Sequence, residues 1–103
     1  MIIRLAKPLV YCDATHTEIN LDLDRLTGAD SMAVTRELRA KHPKEPVIMA
    51  EMDDRYLVAM AARASGIEEA ALCALPLRVF GQVKMEVQGF LLGAASEATS
   101  PES

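Results

Sequence analysis

The first quarter of the chain alternates apolar and polar residues, which is the pattern of a β-strand with one buried face. Residues 17–23 place leucine or isoleucine at every second position, and residues 2–11 form a comparable apolar run. Pro8 cannot donate to a strand ladder, so it indicates an edge position or a bulge in the first strand. Residues 12–16 carry Asp and Thr, which favour turns. The sequence therefore predicts an antiparallel hairpin with residues 12–16 as its loop.

The middle of the chain carries the start and stop signals of two helices. Thr27 is the expected N-cap of a helix that continues to about His42, where a proline follows. Asp53 is the expected N-cap of a helix over residues 54–65, and Gly66 supplies its left-handed stop. Because this second helix is apolar on nearly every side, we expect it to lie in the centre of the domain.

The last part of the chain predicts a short helix over residues 68–74 and a longer one that opens at Pro76. The longer helix has an amphipathic stripe, which consists of Phe80, Val83, Val87, Phe90 and Leu91. After Gly93 the chain is polar and has nothing to bury. The sequence thus predicts an α+β domain over residues 1–93, an N-terminal antiparallel β-hairpin packed on a bundle of three to four α-helices, and a disordered polar tail over residues 94–103.

Composition and charge narrow the classes of function. The chain has 103 residues, which suits one domain, and a formal net charge of −4, which opposes attraction to phosphate backbones. No apolar run approaches the roughly 20 residues that cross a bilayer. The N-terminal run is interrupted by Arg4 and Lys7, unlike a signal peptide, and both cysteines are expected to be reduced thiols. We therefore expect a cytoplasmic protein that binds neither nucleic acid nor membrane.

The side chains suited to catalysis or metal binding are few. One cluster has the character of metal ligands, and it consists of Cys12, Asp13, His16 and Glu18. Structural zinc prefers four soft ligands, so an ordinary polar turn explains this cluster better. Cys73 lies far in sequence from either histidine that could activate it. We therefore expect no catalytic residue, no metal and no cofactor, and a protein that is not an enzyme.

A helix-turn-helix is a further interpretation of residues 56–75, with residues 64–67 as its turn. The candidate recognition helix offers Glu68 and Glu69 to the DNA, and it has no Arg, Lys, Asn or Gln to contact base edges. The two carboxylates would face phosphate. A DNA-binding regulator is therefore an alternative that the composition disfavours.

Two segments are more apolar than their predicted structure requires, the connector over residues 43–52 and the end of the last helix. The connector either packs back onto the core or offers an adaptable apolar surface to a partner. Methionines at positions such as Met60 and Met85 suit the second interpretation, because flexible thioethers adapt to varied partners. The candidate partner-binding residues are Val47, Ile48, Met49, Met52, Phe90, Leu91 and Leu92.

Over residues 2–93 the chain resembles the tail assembly chaperones of long-tailed bacteriophages. The segments that carry the resemblance are Glu18-Ile19-Asn20-Leu21, Leu26-Thr27-Gly28-Ala29-Asp30, Tyr56-Leu57, Ala61-Ala62-Arg63-Ala64-Ser65-Gly66, Leu75-Pro76 and Phe90-Leu91-Leu92. A Gly is common at the hairpin tip in that family, whereas this chain has residues 12–16 there.

The resemblance implies a non-enzymatic protein that binds the long helical tape-measure protein and assists assembly of the tail tube around it. Such proteins act in the host cytoplasm during assembly and are absent from the mature virion. The expected partner is the tape-measure protein, and the tail tube protein and a second copy of this chain are further candidates. The alternative in a different class is a structural tail or head-tail connector protein that stays in the virion.

Overall fold

The computed structural model describes residues 2–99, with side chains described as far as Gly93. The elements in chain order are β1 (Ile2–Tyr11), β2 (Ala14–Asn20), α1 (Gly28–Lys41), α2 (Asp54–Ser65), α3 (Glu69–Cys73) and α4 (Leu77–Thr99), with short 3-10 turns at Leu23–Arg25 and Ala50–Met52. The two strands pair antiparallel, and the other elements are helical. The predicted α+β class, with an N-terminal hairpin followed by helices, is confirmed.

The hairpin turn is tighter than the sequence predicts. Cys12 and Asp13 are its two central residues, and both have left-handed backbone, with φ of 49° and 67°. This is the geometry of a two-residue type I′ turn, whose twist matches that of the flanking strands. The prediction of a five-residue loop over residues 12–16 is therefore wrong, because β2 already begins at Ala14. The register shifts between Arg4 and Leu9, where Pro8 was expected to disturb the ladder.

The second strand also ends earlier than its alternating pattern. Leu21 and Leu23 are buried, as the pattern predicts, but the ladder with β1 stops at Asn20. Beyond that point the backbone N–H of Asp22 donates to the carbonyl of Ala64 at 3.2 Å. The chain therefore leaves β1 for the C-terminal end of α2, and its two leucines enter the core from a turn.

Helix α2 lies in the centre of the fold, as its sequence predicts. It contacts α1, α3, α4 and β2, and most of its residues from Tyr56 to Ala64 are buried. Asp53 caps its first turn by accepting from the backbone N–H of Arg55 at 2.9 Å. Gly66 ends it with φ of 77°, where a side chain would be strained. The hairpin lays Ile3 and Ile19 on the same core.

Two differences concern the C-terminal helices. The short helix α3 covers five residues, fewer than the predicted residues 68–74. Helix α4 continues to Thr99, so the backbone of residues 94–99 is helical where the sequence predicts a disordered tail. Ala94, Ala95 and Glu97 are good helix formers, which accounts for the extension. The last four residues of the predicted tail lie outside the described residues. None of the described helices is both long enough and apolar enough to cross a membrane.

Candidate partner-binding site

The candidate residues at positions 90–92 lie within α4, which continues to Thr99, and they fall on two sides of the helix. Phe90 and Leu91 are half-buried and pack against the core, where they line a cleft of about 220 Å³ beside Leu26 and Tyr56. Leu92, in contrast, exposes 48% of its surface. Only Leu92 is therefore placed to present a large apolar area to a partner.

The candidate residues of the connector divide in the same way. Val47 is half-buried and packs against the core. Ile48, Met49 and Met52 expose 87%, 55% and 60% of their surface, respectively. One side chain thus returns to the core, as the first interpretation predicts, and three face solvent, which the second interpretation requires.

Hydrogen bonds hold the connector backbone at both ends. Near its start, the Arg55 guanidinium donates to the carbonyl of Glu45 at 3.0 Å. Near its end, the Gln88 amide of α4 donates to the carbonyl of Glu51 at 2.9 Å and contacts the Met52 sulfur at 3.1 Å. The exposed apolar side chains therefore project from a fixed backbone, which lowers the entropy lost when a partner orders them.

Helix α4 contributes its outward face to the same region. Met85 and Leu92 lie one turn before and one turn after Gln88, so the three residues share a face of the helix. Met85 exposes 71% of its surface. The spacing of 85, 88 and 92 could have indicated this face in the sequence. We call the combined area the connector surface, and it consists of Ile48, Met49, Met52, Met85 and Leu92. The other methionine noted in the sequence, Met60, is buried in the core.

Ion pairs fix the start of α2 beneath the connector. The Arg55 guanidinium contacts the Asp53 carboxylate at 2.7 Å, and its hydrogen bonds are the largest cause that lowers the pKa of Asp53. Lys84 of α4 pairs with Asp54 at 3.1 Å and lies 5.2 Å from the centre of the Phe80 ring. The pair of Lys84 with Asp54 therefore ties α4 to the start of α2.

A second set of ion pairs joins α1 to α2. The Arg63 guanidinium contacts Asp30 at 2.8 Å and Glu37 at 3.3 Å. Asp30 also accepts from the backbone N–H of Thr27 at 2.9 Å, which is one half of a capping box at the start of α1. That backbone hydrogen bond is the largest cause that lowers the pKa of Asp30, with Arg63 adding to it.

A cavity that the sequence does not indicate lies between the helices, with a volume of about 280 Å³. Its lining comes from α1, the start of α2, α3 and Phe80 of α4. Cys73 and His42, which are far apart in sequence, both line it. Because no short motif joins residues from four helices, only the folded chain brings them together.

The residues weighed for other chemistry are placed as follows. Cys12 and Asp13 form the hairpin turn, and Glu18 pairs with Arg4 across the strands at 3.7 Å. Within residues 2–93, no group of three or more His, Cys, Asp or Glu side chains is arranged to hold a metal ion. The helix considered for DNA recognition, α3, has five residues. A helix of that length presents little more than one turn to a major groove.

Comparison with known proteins gives no relative for this chain. No protein-family model, curated protein or solved structure matches it. The resemblance in the sequence and the geometry of the connector surface and the cavity are therefore the guides to function.

Proposed function

We propose that this protein is a tail assembly chaperone of a long-tailed bacteriophage. It binds apolar helical segments of the tape-measure protein in the host cytoplasm, keeps them soluble and assists assembly of the tail tube, without catalysing a reaction. The observation that carries the proposal is the connector surface, where large apolar side chains stay exposed on a backbone fixed by Arg55 and Gln88.

The shape and chemistry of the connector surface suit an amphipathic helix. A partner helix offers apolar residues at intervals of three and four, and these pack against an apolar face on another protein. Met49, Met52 and Met85 supply flexible thioethers, which adapt to several arrangements of such a stripe. A chaperone that contacts many segments of a long helical protein needs this tolerance more than it needs one tight fit.

The test replaces three residues of the connector surface, Ile48, Met49 and Leu92, with Asp. Because all three are exposed, the fold should stay cooperative, whereas desolvating the new carboxylates opposes docking of an apolar helix. We expect co-purification with the tape-measure protein to be lost, with affinity at least about tenfold weaker. Binding in a pull-down and unfolding by circular dichroism are measured in parallel.

The matched control carries the same three charge changes elsewhere. Val10, Met32 and Leu77 expose 67%, 71% and 82% of their surface and lie outside the connector surface. Replacing these three with Asp should leave tape-measure binding intact. Equal binding by both triple variants removes the connector surface from the proposal, and failure of the unaltered protein to bind the tape-measure protein overturns the proposed function.

A further inference from the structure

The cavity between the helices has an apolar interior and a charged mouth. Its interior is formed by Val34, Leu38, Val58, Ala59 and Phe80. An apolar cavity of roughly 150 Å³ already accepts a benzene ring. The volume here, about 280 Å³, therefore leaves room for one aromatic or branched aliphatic side chain.

Some of the charged residues that line the cavity form ion pairs, and others do not. Glu37 pairs with Arg63, Asp54 pairs with Lys84, and Arg55 pairs with Asp53. Two further charges line the cavity, Lys41 on α1 and Glu69 on α3. Neither forms an ion pair within residues 2–93, where the ion pairs are described.

Lys41 lies on α1 and Glu69 lies on α3, so the cavity mouth offers one unpaired positive charge and one unpaired negative charge from two different helices. An occupant that carries both signs beside an apolar group complements this arrangement. A helix does so when an apolar residue is flanked by an acidic and a basic residue within one turn. A purely anionic or purely cationic ligand satisfies only one of the two charges.

We propose that this cavity is a second docking point, which receives one bulky apolar side chain of a partner helix with an acidic neighbour facing Lys41 and a basic neighbour facing Glu69. This inference rests on the proposed function for the identity of the partner. The cavity also adjoins the connector, because Arg55 lines it and holds the Glu45 carbonyl. One partner could therefore contact both places.

The main experiment fills the cavity from its exposed wall. Cys73 lines the cavity and is solvent-exposed, so Cys73→Trp should occupy the space without disturbing the buried core. We expect the affinity for the tape-measure protein to fall about tenfold, as for loss of a central anchor residue. Ala74→Trp puts the same bulk on the neighbouring exposed residue, which does not line the cavity, and should bind within about twofold of the unaltered protein. Equal affinity of the two Trp variants overturns the proposal.

Charge reversal tests the orientation of the partner. Lys41→Glu and Glu69→Lys should each weaken binding by about two- to fivefold, the range of exposed ion pairs. Met32→Glu on the outer face of α1 is the control, because Met32 is exposed and does not line the cavity. Binding unchanged by both reversals contradicts the predicted flanking charges.

A labelling measurement follows occupancy directly. Both cysteines are free and exposed, and Cys12 lies in the hairpin turn, outside the cavity lining. The bound tape-measure protein should slow modification of Cys73 by a maleimide at least about fivefold relative to that of Cys12. Equal protection of the two thiols contradicts the inference.

Indole separates failure of this inference from failure of the proposed function. As a surrogate for an aromatic side chain, indole should shift the NMR signals of Val58 and Phe80 in the unaltered protein and leave those of Cys73→Trp unchanged. If the tape-measure protein does not bind but indole gives these shifts, the proposed function fails and the cavity remains a site for an apolar side chain. If indole gives no shift, the site is overturned.

Discussion

Asp30 and Asp53 each have two roles at the start of a helix. Asp30 accepts the backbone N–H of Thr27, the N-cap of α1, and Asp53 accepts that of Arg55 in the first turn of α2. Asp30 also pairs with Arg63, and Asp53 pairs with Arg55. These contacts favour the ionised form, so the pKa of both carboxyl groups lies below its usual value. The same two residues therefore link the helix caps to the packing of α1 and the connector against α2.

The lowered pKa values predict how stability responds to acid. In the unfolded chain an aspartate has a pKa of about 3.9. Between that pH and the lower pKa of the folded state, the unfolded state binds more protons than the folded state. The stabilisation from Asp30 and Asp53 is therefore complete above about pH 4 and is lost as pH falls through their folded pKa values. Asp30→Asn combined with Asp53→Asn should lower the urea midpoint at pH 7, and the difference from the unaltered protein should shrink in acid.

The Asn variants isolate the charge, because Asn keeps a side-chain oxygen that can accept the same backbone N–H. Asp24→Asn is the control, since Asp24 forms no ion pair in the part of the chain whose side chains are described. The midpoint of that control should follow the unaltered protein at each pH. A difference between the double variant and the unaltered protein that is the same at pH 7 and pH 2 contradicts this role for the two carboxylates.

At the scale of the element, helices with clear end signals could be predicted from the sequence alone. The bounds of α2, residues 54–65, agree with the prediction because Asp53 and Gly66 mark both ends and the residues between them are apolar. The two hairpin strands could also be predicted as elements, because residues 2–11 form an apolar run and apolar residues alternate with polar ones in residues 17–23. The bounds of β2 could not, because its alternating pattern continues through Leu21 and Leu23 after the pairing has ended.

The candidate site could be predicted from the sequence only in part. Ile48 lies on a connector and Leu92 lies on the side of α4 away from the apolar stripe, so their exposure could be predicted. The contact between α4 and the connector could not, because only the folded chain brings Gln88 to the carbonyl of Glu51. The cavity depends on the spacing of four helices, which no local pattern records. The excess of apolar residues over one stripe predicts Phe90 and Leu91 as partner contacts, but both are half-buried and pack against the core.

The hairpin turn is an element that can be improved. Asp13 has φ of 67°, which costs an ordinary residue about 1–2 kcal/mol and costs glycine little. Because Asp tolerates this conformation better than most residues, its cost should lie at the lower end of that range. We therefore expect Asp13→Gly to raise the free energy of unfolding by about 1 kcal/mol. Ala14→Gly is the matched control, because Ala14 begins β2 and a glycine in a strand is destabilising. Urea denaturation measures both, and a loss of stability in Asp13→Gly contradicts the type I′ assignment.

At the scale of the whole molecule, the surfaces offered to a partner are modest. The connector surface consists of five side chains, and the cavity has room for about one more from the partner. Stable protein complexes bury about 1,600 Å² in total, so contacts of this extent favour a complex that dissociates readily. Reversible binding is what the proposed chaperone role requires, because the tube would have to replace this chain on the tape-measure protein.

Reversible binding distinguishes the proposed chaperone function from the alternative, a structural tail or head-tail connector protein. If the chaperone proposal is correct, the chain should co-purify with the tape-measure protein from a lysate during assembly and be absent from purified virions by mass spectrometry. The tail tube and tape-measure proteins, detected in the same virion sample, are the internal control. Stoichiometric detection of this chain beside them contradicts the proposal and favours the structural alternative, since a subunit retained in the particle cannot have been displaced by the tube.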